Sequence, residues 1–194
     1  MIDVDHVRDL LARHRPRRIE GESGPFASVA MILAGGPRDP AMLFIERATR
    51  FGDPWSGHMA FPGGRVESED ADPRRTAERE TFEEVGIDLG AGELLGRLDD
   101  QAGRRAGAAA GRAIAGYVYH LPEPAPAVPS PEVEEALWVP SSALLEPGNR
   151  VDYRVTYATG VFPGILVGKP DRHIVWGLTY RFLESFLVAI GRRL

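Results

Sequence analysis

Apolar residues at Val7, Leu10 and Leu11 recur at helical spacing, so a surface helix is expected over residues 4–13. The basic cluster that follows, Arg13, His14, Arg15, Arg17 and Arg18, reads as a solvated turn broken by Pro16. Residues 26–33 and 42–45 are short apolar runs separated by Gly35, Gly36, Pro37 and Pro40, which predicts two strands joined by a turn. Residues 47–60 lack any period and hold Gly52, Pro54 and Gly57, so a long loop is expected before the pair Gly63 and Gly64. A second helix is expected over residues 73–85. The Asp72 side chain can cap its free amides, Pro73 fits its first turn and Gly86 supplies the stop.

Further on, residues 94–98 and 114–120 read as strands around a mobile Gly-, Ala- and Arg-rich loop at 102–111. Residues 123–131 form a proline-rich connector, 137–139 a short strand, and 153–157 and 164–167 weaker strands. Residues 176–190 have the length and period of a closing amphipathic helix. Trp138, Trp176, Tyr180 and Phe186 fall at core spacings, and Arg181 with Glu184 is expected as a surface pair. This pattern by itself supports one α/β or α+β domain.

Composition narrows the choice of function. With 194 residues, 43% hydrophobic and 26% charged, the chain is an ordinary globular protein that can bury one large core. A net charge of -5 argues against a dedicated nucleic-acid binder, and no nucleic-acid partner is expected. There is no cysteine, which excludes disulfides, thiolate zinc sites and cysteine nucleophiles, so a metal would be held by oxygen or imidazole. The acidic start lacks the pattern of a secretory signal, and no run approaches the roughly 18 apolar residues a membrane span needs, so no membrane partner is expected. A cytoplasmic location is the expectation.

The candidate chemistry lies on the second helix. At 3.6 residues per turn, Glu80, Glu83 and Glu84 share one side, while Ala77, Thr81, Phe82 and Val85 fall on the side that can be buried. Like charges three and four residues apart each cost about 0.2–0.5 kcal/mol, and anions in the last turns oppose the helix dipole. A divalent ion would remove both penalties, and hard oxygen ligands select magnesium or manganese. The turn Phe61-Pro62-Gly63-Gly64 shortly before the helix has a bare backbone able to approach an ion or phosphate, and the Gly64 carbonyl could complete a metal shell.

The stretch from Gly64 to Ile87, ending Arg79-Glu80-Thr81-Phe82-Glu83-Glu84-Val85-Gly86-Ile87, resembles the Nudix box, G-x5-E-x7-R-E-U-x-E-E-x-G-U. It departs from it by one extra residue before the Arg, with Asp70 in the place of the first Glu, and by Thr81 where a bulky aliphatic is usual. The longer spacing, the Phe61–Gly64 turn, Arg47-Ala48 and Trp176-Gly177-Leu178-Thr179 look like the coenzyme A diphosphatase branch. The segment Arg50–His58 departs from that branch.

The resemblance implies an α/β/α sandwich with a mixed sheet, in which residues 1–22 are an N-terminal helix and basic turn and 23–194 the Nudix hydrolase domain. It implies Mg2+ or Mn2+ as cofactor, held by Glu80, Glu84 and the Gly64 carbonyl. Glu83 either completes that shell or holds the water that attacks phosphorus, and Arg79 orients a ligand. Arg47, Arg50, Ser56, His58, Phe61 and Gly63 are the candidate substrate contacts. Phe51 and Trp55 either stack on an adenine or pack their loop, and Glu132, Glu134 and Glu135 are candidates for a late carboxylate.

The expected activity is hydrolysis of a diphosphate in a small nucleotide, with coenzyme A or an acyl coenzyme A first, giving 3′,5′-ADP and 4′-phosphopantetheine. ADP-ribose, NADH and dinucleotides come next, and a non-catalytic ligand sensor is the rival of another class. Three repelling carboxylates kept together speak against the sensor. Prenyl diphosphate isomerisation would want a cysteine, which is absent. A monomer or homodimer is expected.

Overall fold

The computed structural model describes residues 1–19, 24–103, 112–155 and 159–194. The first expected helix is α1 (Val4–Arg13), capped by Asp3, whose side chain accepts from the His6 N–H. Its apolar face is not a free surface. Val4, Val7 and Leu11 lie in the main core, and the turn after it is anchored, because His14 and Arg17 both reach Asp99.

The two apolar runs form β1 (Ala27–Ala34) and β2 (Ala41–Arg47). The segment expected as one loop ends in a short strand, β3 (Met59–Ala60), which pairs with β2, and the glycine pair after it opens another, β4 (Gly63–Arg65), which pairs with β1. Helix α2 (Pro73–Val85) starts and stops where its caps dictate. Asp72 Oδ1 accepts from the Arg74 and Arg75 amides, and Gly86 adopts the left-handed conformation with φ of 69°.

Then follow β5 (Glu93–Arg97), β6 (Gln101–Gly103), β7 (Arg112–Leu121), β8 (Val133–Pro140), α3 (Ser141–Leu145), β9 (Arg150–Tyr153), β10 (Phe162–Leu166), β11 (Ile174–Trp176) and α4 (Gly177–Ala189). The pattern misses β6, α3 and β11, which are too short to show a period. It also undersizes β8, where the adjacent Glu134 and Glu135 interrupt the alternation of apolar and polar residues. Residues 104–111 of the expected mobile loop, and 156–157 of the weak strand, lie outside the described residues.

The main sheet runs β3-β2-β1-β7-β5, with β4 beside β1, β6 beside β7 and β8 beside β2. Strands β1 and β7 are parallel and the other pairs antiparallel, so the sheet is mixed. Alternation divides its side chains between two layers. Ala30, Ile32, Leu43 and Ile45 meet Ala77 and Val85 of α2, whereas Met31, Leu33, Met42 and Phe44 join the core of α1 and α4. The α/β/α sandwich follows. A small antiparallel sheet, β9-β10-β11, adjoins α4. No helix among the described residues is long and apolar enough to cross a membrane.

Several expectations are corrected at the residue level. Phe82 is exposed rather than buried, and Trp138, Trp176 and Tyr180 are half-buried, leaving Phe186 as the aromatic of that set fully in the core. Arg181 donates to the Ala102 carbonyl instead of serving only as a surface partner for Glu184.

Candidate functional site

Helix α2 lies on the sheet beside β4, which brings its acidic residues to the glycine pair. Gly63 has φ of 153°, and a Cβ there would collide with the Ser28 carbonyl on β1. Its N–H donates to Glu84 Oε2 at 2.9 Å. A Cβ at Gly64 would collide with the Glu80 carboxylate, so that carboxylate rests directly on the bare backbone. The turn therefore needs both glycines, for different reasons.

The three carboxylates differ in environment. Glu84 is 4% exposed, and burial pushes its carboxyl up to about 8, against the opposing bond from Gly63. Burial also raises Glu80, with Arg79 pulling the other way. Glu83 lies at the exposed end of the face. Thr81, the departure from the usual aliphatic, is fully buried and donates its hydroxyl to the Ala77 carbonyl at 2.7 Å, which satisfies it inside the helix.

Arg79 ties the site together. Its Nε and Nη2 hold Asp70 bidentately at 3.1 and 3.0 Å, Nη1 donates to Glu80 at 3.1 Å and Glu83 at 3.0 Å, and Nη2 also donates to the Arg65 carbonyl at 3.2 Å. A guanidinium has five N–H donors, and these bonds use all of them. Arg79 therefore has no donor left for a substrate and acts on the carboxylates. Its hydrogen bonds, with Thr76 and the Glu67 amide, hold the Asp70 carboxyl well below the usual carboxylate range. The Asp70 clamp was legible only as a spacing in the sequence.

The remaining candidates separate into two groups. Arg47 leaves β2 on the α2 side, where its charge opposes the upward shift of Glu84, and its Nη2 donates to Asp53 at 3.1 Å. Arg50 meets Glu132 at 3.2 Å, and Glu132 also faces Glu84. His58 sits edge-on to Trp176 with ring centroids 5.0 Å apart, and burial lowers its pKa.

By contrast, Phe61 is 3% exposed and stacks on Phe44, so it belongs to the core and not among substrate contacts. Ser56 spends its hydroxyl within its own loop, accepting from the Arg50 amide and donating toward the Arg50 and Asp53 carbonyls. Asp53, unmarked in the sequence, organises this loop by accepting from the Trp55 amide and from Arg47. Phe51 is wholly exposed and Trp55 half-exposed, so neither packs the loop down. Glu134 and Glu135 lie 3.8 and 3.9 Å from Arg172 Nη2.

Glu80 and Glu84 bring carboxylate oxygens to the glycine turn and Glu83 follows on the same helix face, a donor chemistry that fits a hard divalent cation. Among the described residues, the acidic and histidine groups whose ligand atoms lie within 4.8 Å of one another are instead Glu46, Glu135 and His173. Arg79 accounts for the spread of the helix carboxylates, since it draws Glu80 and Glu83 to itself while Gly63 holds Glu84.

A family model described as NUDIX domain matches residues 24–159. An uncharacterized protein of Schizosaccharomyces pombe is 35% identical over 158 residues, which cover 71% of this chain and 48% of that protein. The chain thus spans about half the length of that relative. The uncharacterized Nudix hydrolase NudL of Citrobacter koseri is 29% identical, with 95% of each chain covered. The mitochondrial coenzyme A diphosphatase NUDT8 of Mus musculus is 34% identical over 87 residues, 45% of this chain and 40% of that one. The crystal structure of a MutT/nudix family protein from Enterococcus faecalis shares the fold with a TM-score of 0.53 at 16% identity, covering 94% of this chain and 68% of that chain.

Proposed function

The chain belongs to the Nudix family, and we propose that it hydrolyses a diphosphate linkage in a nucleoside diphosphate derivative, with coenzyme A or an acyl coenzyme A as substrate. The observation that carries the hydrolase reading is the site itself: Glu80 and Glu84 on the bare backbone of Gly63 and Gly64, with Arg79 saturated by carboxylates and the Arg65 carbonyl. A ligand sensor has no use for a desolvated carboxylate kept at such cost.

Glu80, Glu84, Glu83 and the Gly64 carbonyl are the groups that would hold Mg2+ or Mn2+. When bound, the ion supplies charge neutralisation for the phosphates and favours a nucleophile near neutral pH. Water adds across the P–O–P bond. Its oxygen ends on one phosphorus, the bridging oxygen leaves with the other fragment, and each product carries a phosphate. Glu84, buried and held at Oε2 by the Gly63 amide, is fixed on the glycine turn, where a cation would offset the cost of its burial. Glu83, at the exposed end of the face and held at one oxygen by Arg79, either completes that shell or meets the attacking water and accepts its proton. Arg47 and Arg50 offer positive charge to the phosphates on the same side of the sheet.

The coenzyme A assignment is supported by the one-residue-longer box, by the Trp176–Thr179 segment opening α4, and by the similarity to the mouse coenzyme A diphosphatase over 87 residues. Incubation with magnesium and a panel of coenzyme A, ADP-ribose, NADH and dinucleoside polyphosphates tests it, with 3′,5′-ADP and 4′-phosphopantetheine as the expected products. Faster cleavage of ADP-ribose or a dinucleotide at matched magnesium overturns the substrate and leaves the hydrolase standing. Arg50→Ala is expected to raise KM for coenzyme A more than for its 3′-dephospho form, because only the former offers the extra phosphate to that guanidinium.

A further inference from the structure

We propose that His173 is a positioning residue for this site, acting from the opposite face of the sheet through Glu46 on Arg47; the inference deepens, and rests on, the reading of Arg47 as a phosphate contact. Strands β2 and β8 pair in register from Ala41↔Pro140 to Glu46↔Glu135, and the register then shifts so that Arg47 faces Val133. Such a bulge re-aims the side chain beside it. Glu46 and Arg47 therefore leave the same irregularity toward opposite faces, Glu46 into the α4 layer and Arg47 toward Glu84.

What holds the bulge is on the Glu46 side. Its carboxylate is 5% exposed and takes Arg172 bidentately, with Nε at 2.8 and 3.0 Å and Nη2 at 2.7 Å. Glu135 takes Lys169 Nζ at 2.8 Å. Between them sits His173, fully buried, with Nε2 at 3.5 Å from Glu46 and 3.4 Å from Glu135. Among the described residues, that nitrogen has no partner within ordinary hydrogen-bond limits. Its direction is fixed from the other side of the ring, where Nδ1 accepts the Lys169 amide N–H at 3.1 Å. A Cβ at Gly168 would collide with the ring, so the backbone there closes over it.

A neutral imidazole that accepts at Nδ1 carries its proton on Nε2. The N–H then points between two carboxylates, one on each strand at the bulge, and has no lone pair for a metal ion. Both carboxylates also already face a cation. The Glu46, Glu135 and His173 group is thus a proton-donating strut between strands, although its atoms are close enough for a metal. The same short strand that follows His173 carries Trp176 against His58. The segment from Arg172 to Trp176, beyond the residues matched by the family model, in this way braces both ends of the loop between Arg47 and His58.

His173→Leu removes the donor, and His173→Gln returns an N–H near the Nε2 position. In the chelated protein without substrate, amide exchange over residues 47–58 is expected to accelerate in the Leu variant, by roughly tenfold for loss of one buried polar contact, and to recover in the Gln variant. Exchange in α1 and β5 is expected to stay as in wild type. Against whichever diphosphate the wild type cleaves, the Leu variant is expected to raise KM with kcat within about twofold, again rescued by Gln.

Exchange over 47–58 unchanged in the Leu variant overturns the proposal, as does acceleration throughout the chain. Binding of zinc by wild type that is lost in the Leu variant would identify a metal site instead and also overturn it. Should the Leu variant not fold, Glu135→Ala removes one arm of the strut from a partly exposed position and is read by the same exchange. Because exchange needs no substrate, a wild type inactive on every diphosphate defeats the functional reading without deciding the strut.

Discussion

Single side chains set the electrostatics of the site, and Glu84 sets most of it. In the unfolded chain its carboxyl titrates near its ordinary value of 4.5, and in the fold burial pushes it up to about 8. Between those values the folded state binds more protons, so this group's contribution to stability is full below the lower value and is lost as pH rises through the upper one. Chelated wild type is therefore expected to melt at progressively lower temperature from pH 5 to pH 8. Glu84→Gln, which keeps an acceptor for the Gly63 amide, is expected to flatten that slope, to be at least as stable as wild type at pH 8, and to lose most turnover. A slope that survives the substitution would assign it to other groups. Arg79→Lys provides a complementary case, since an ammonium cannot span Asp70, Glu80, Glu83 and the Arg65 carbonyl together. Activity is expected to fall about 10–100-fold with an unchanged circular dichroism spectrum. Full activity would show that one contact suffices.

At the scale of elements, the contact between α2 and β4 makes the site, and it depends on the absence of a side chain at Gly64. Gly64→Ala places a methyl group against the Glu80 carboxylate, so the helix must shift off the strand. A loss of roughly 1–3 kcal/mol is expected from such overpacking, together with loss of the stabilisation that millimolar magnesium or manganese gives wild type by mass action. Comparing melting temperatures with and without metal separates the two effects. A Gly64→Ala protein that gains as much from metal as wild type would remove this contact from the ion site. The β2–β8 bulge is the second such contact, with Glu46 held on one face while Arg47 serves the other.

For the whole molecule, the two-layer division of the core explains why α1 and α4 matter to carboxylates on the other face of the sheet. Both pack against the sheet face opposite α2, and Gly96 on β5 lets Leu11 approach the strand closely. Leu11→Ala is expected to cost about 2–5 kcal/mol, the range for emptying a buried leucine site, and to lower the melting temperature while leaving KM unchanged in the folded fraction. A cost well under 1 kcal/mol would mean that α1 is a detachable appendage.

The sequence alone determined what is local: α2 with its Asp72 and Gly86 caps, the runs that became β1, β2 and β7, and the spacing of Asp70, Arg79, Glu80, Glu83 and Glu84. Caps and periodicity act over one or two turns, and a box of contiguous residues carries its own geometry with it. Tertiary structure decided what depends on residues far apart in the chain. It placed Phe61 in the core, where sheet packing claims an aromatic beside Phe44, and it left Phe82 exposed because α2 meets the sheet on its other side. It desolvated Glu84 between α2 and the glycine turn, saturated Arg79, and set His173 against Glu46 across more than a hundred residues of chain. Burial and long-range pairing are properties of the packed sheet, and no local pattern encodes them.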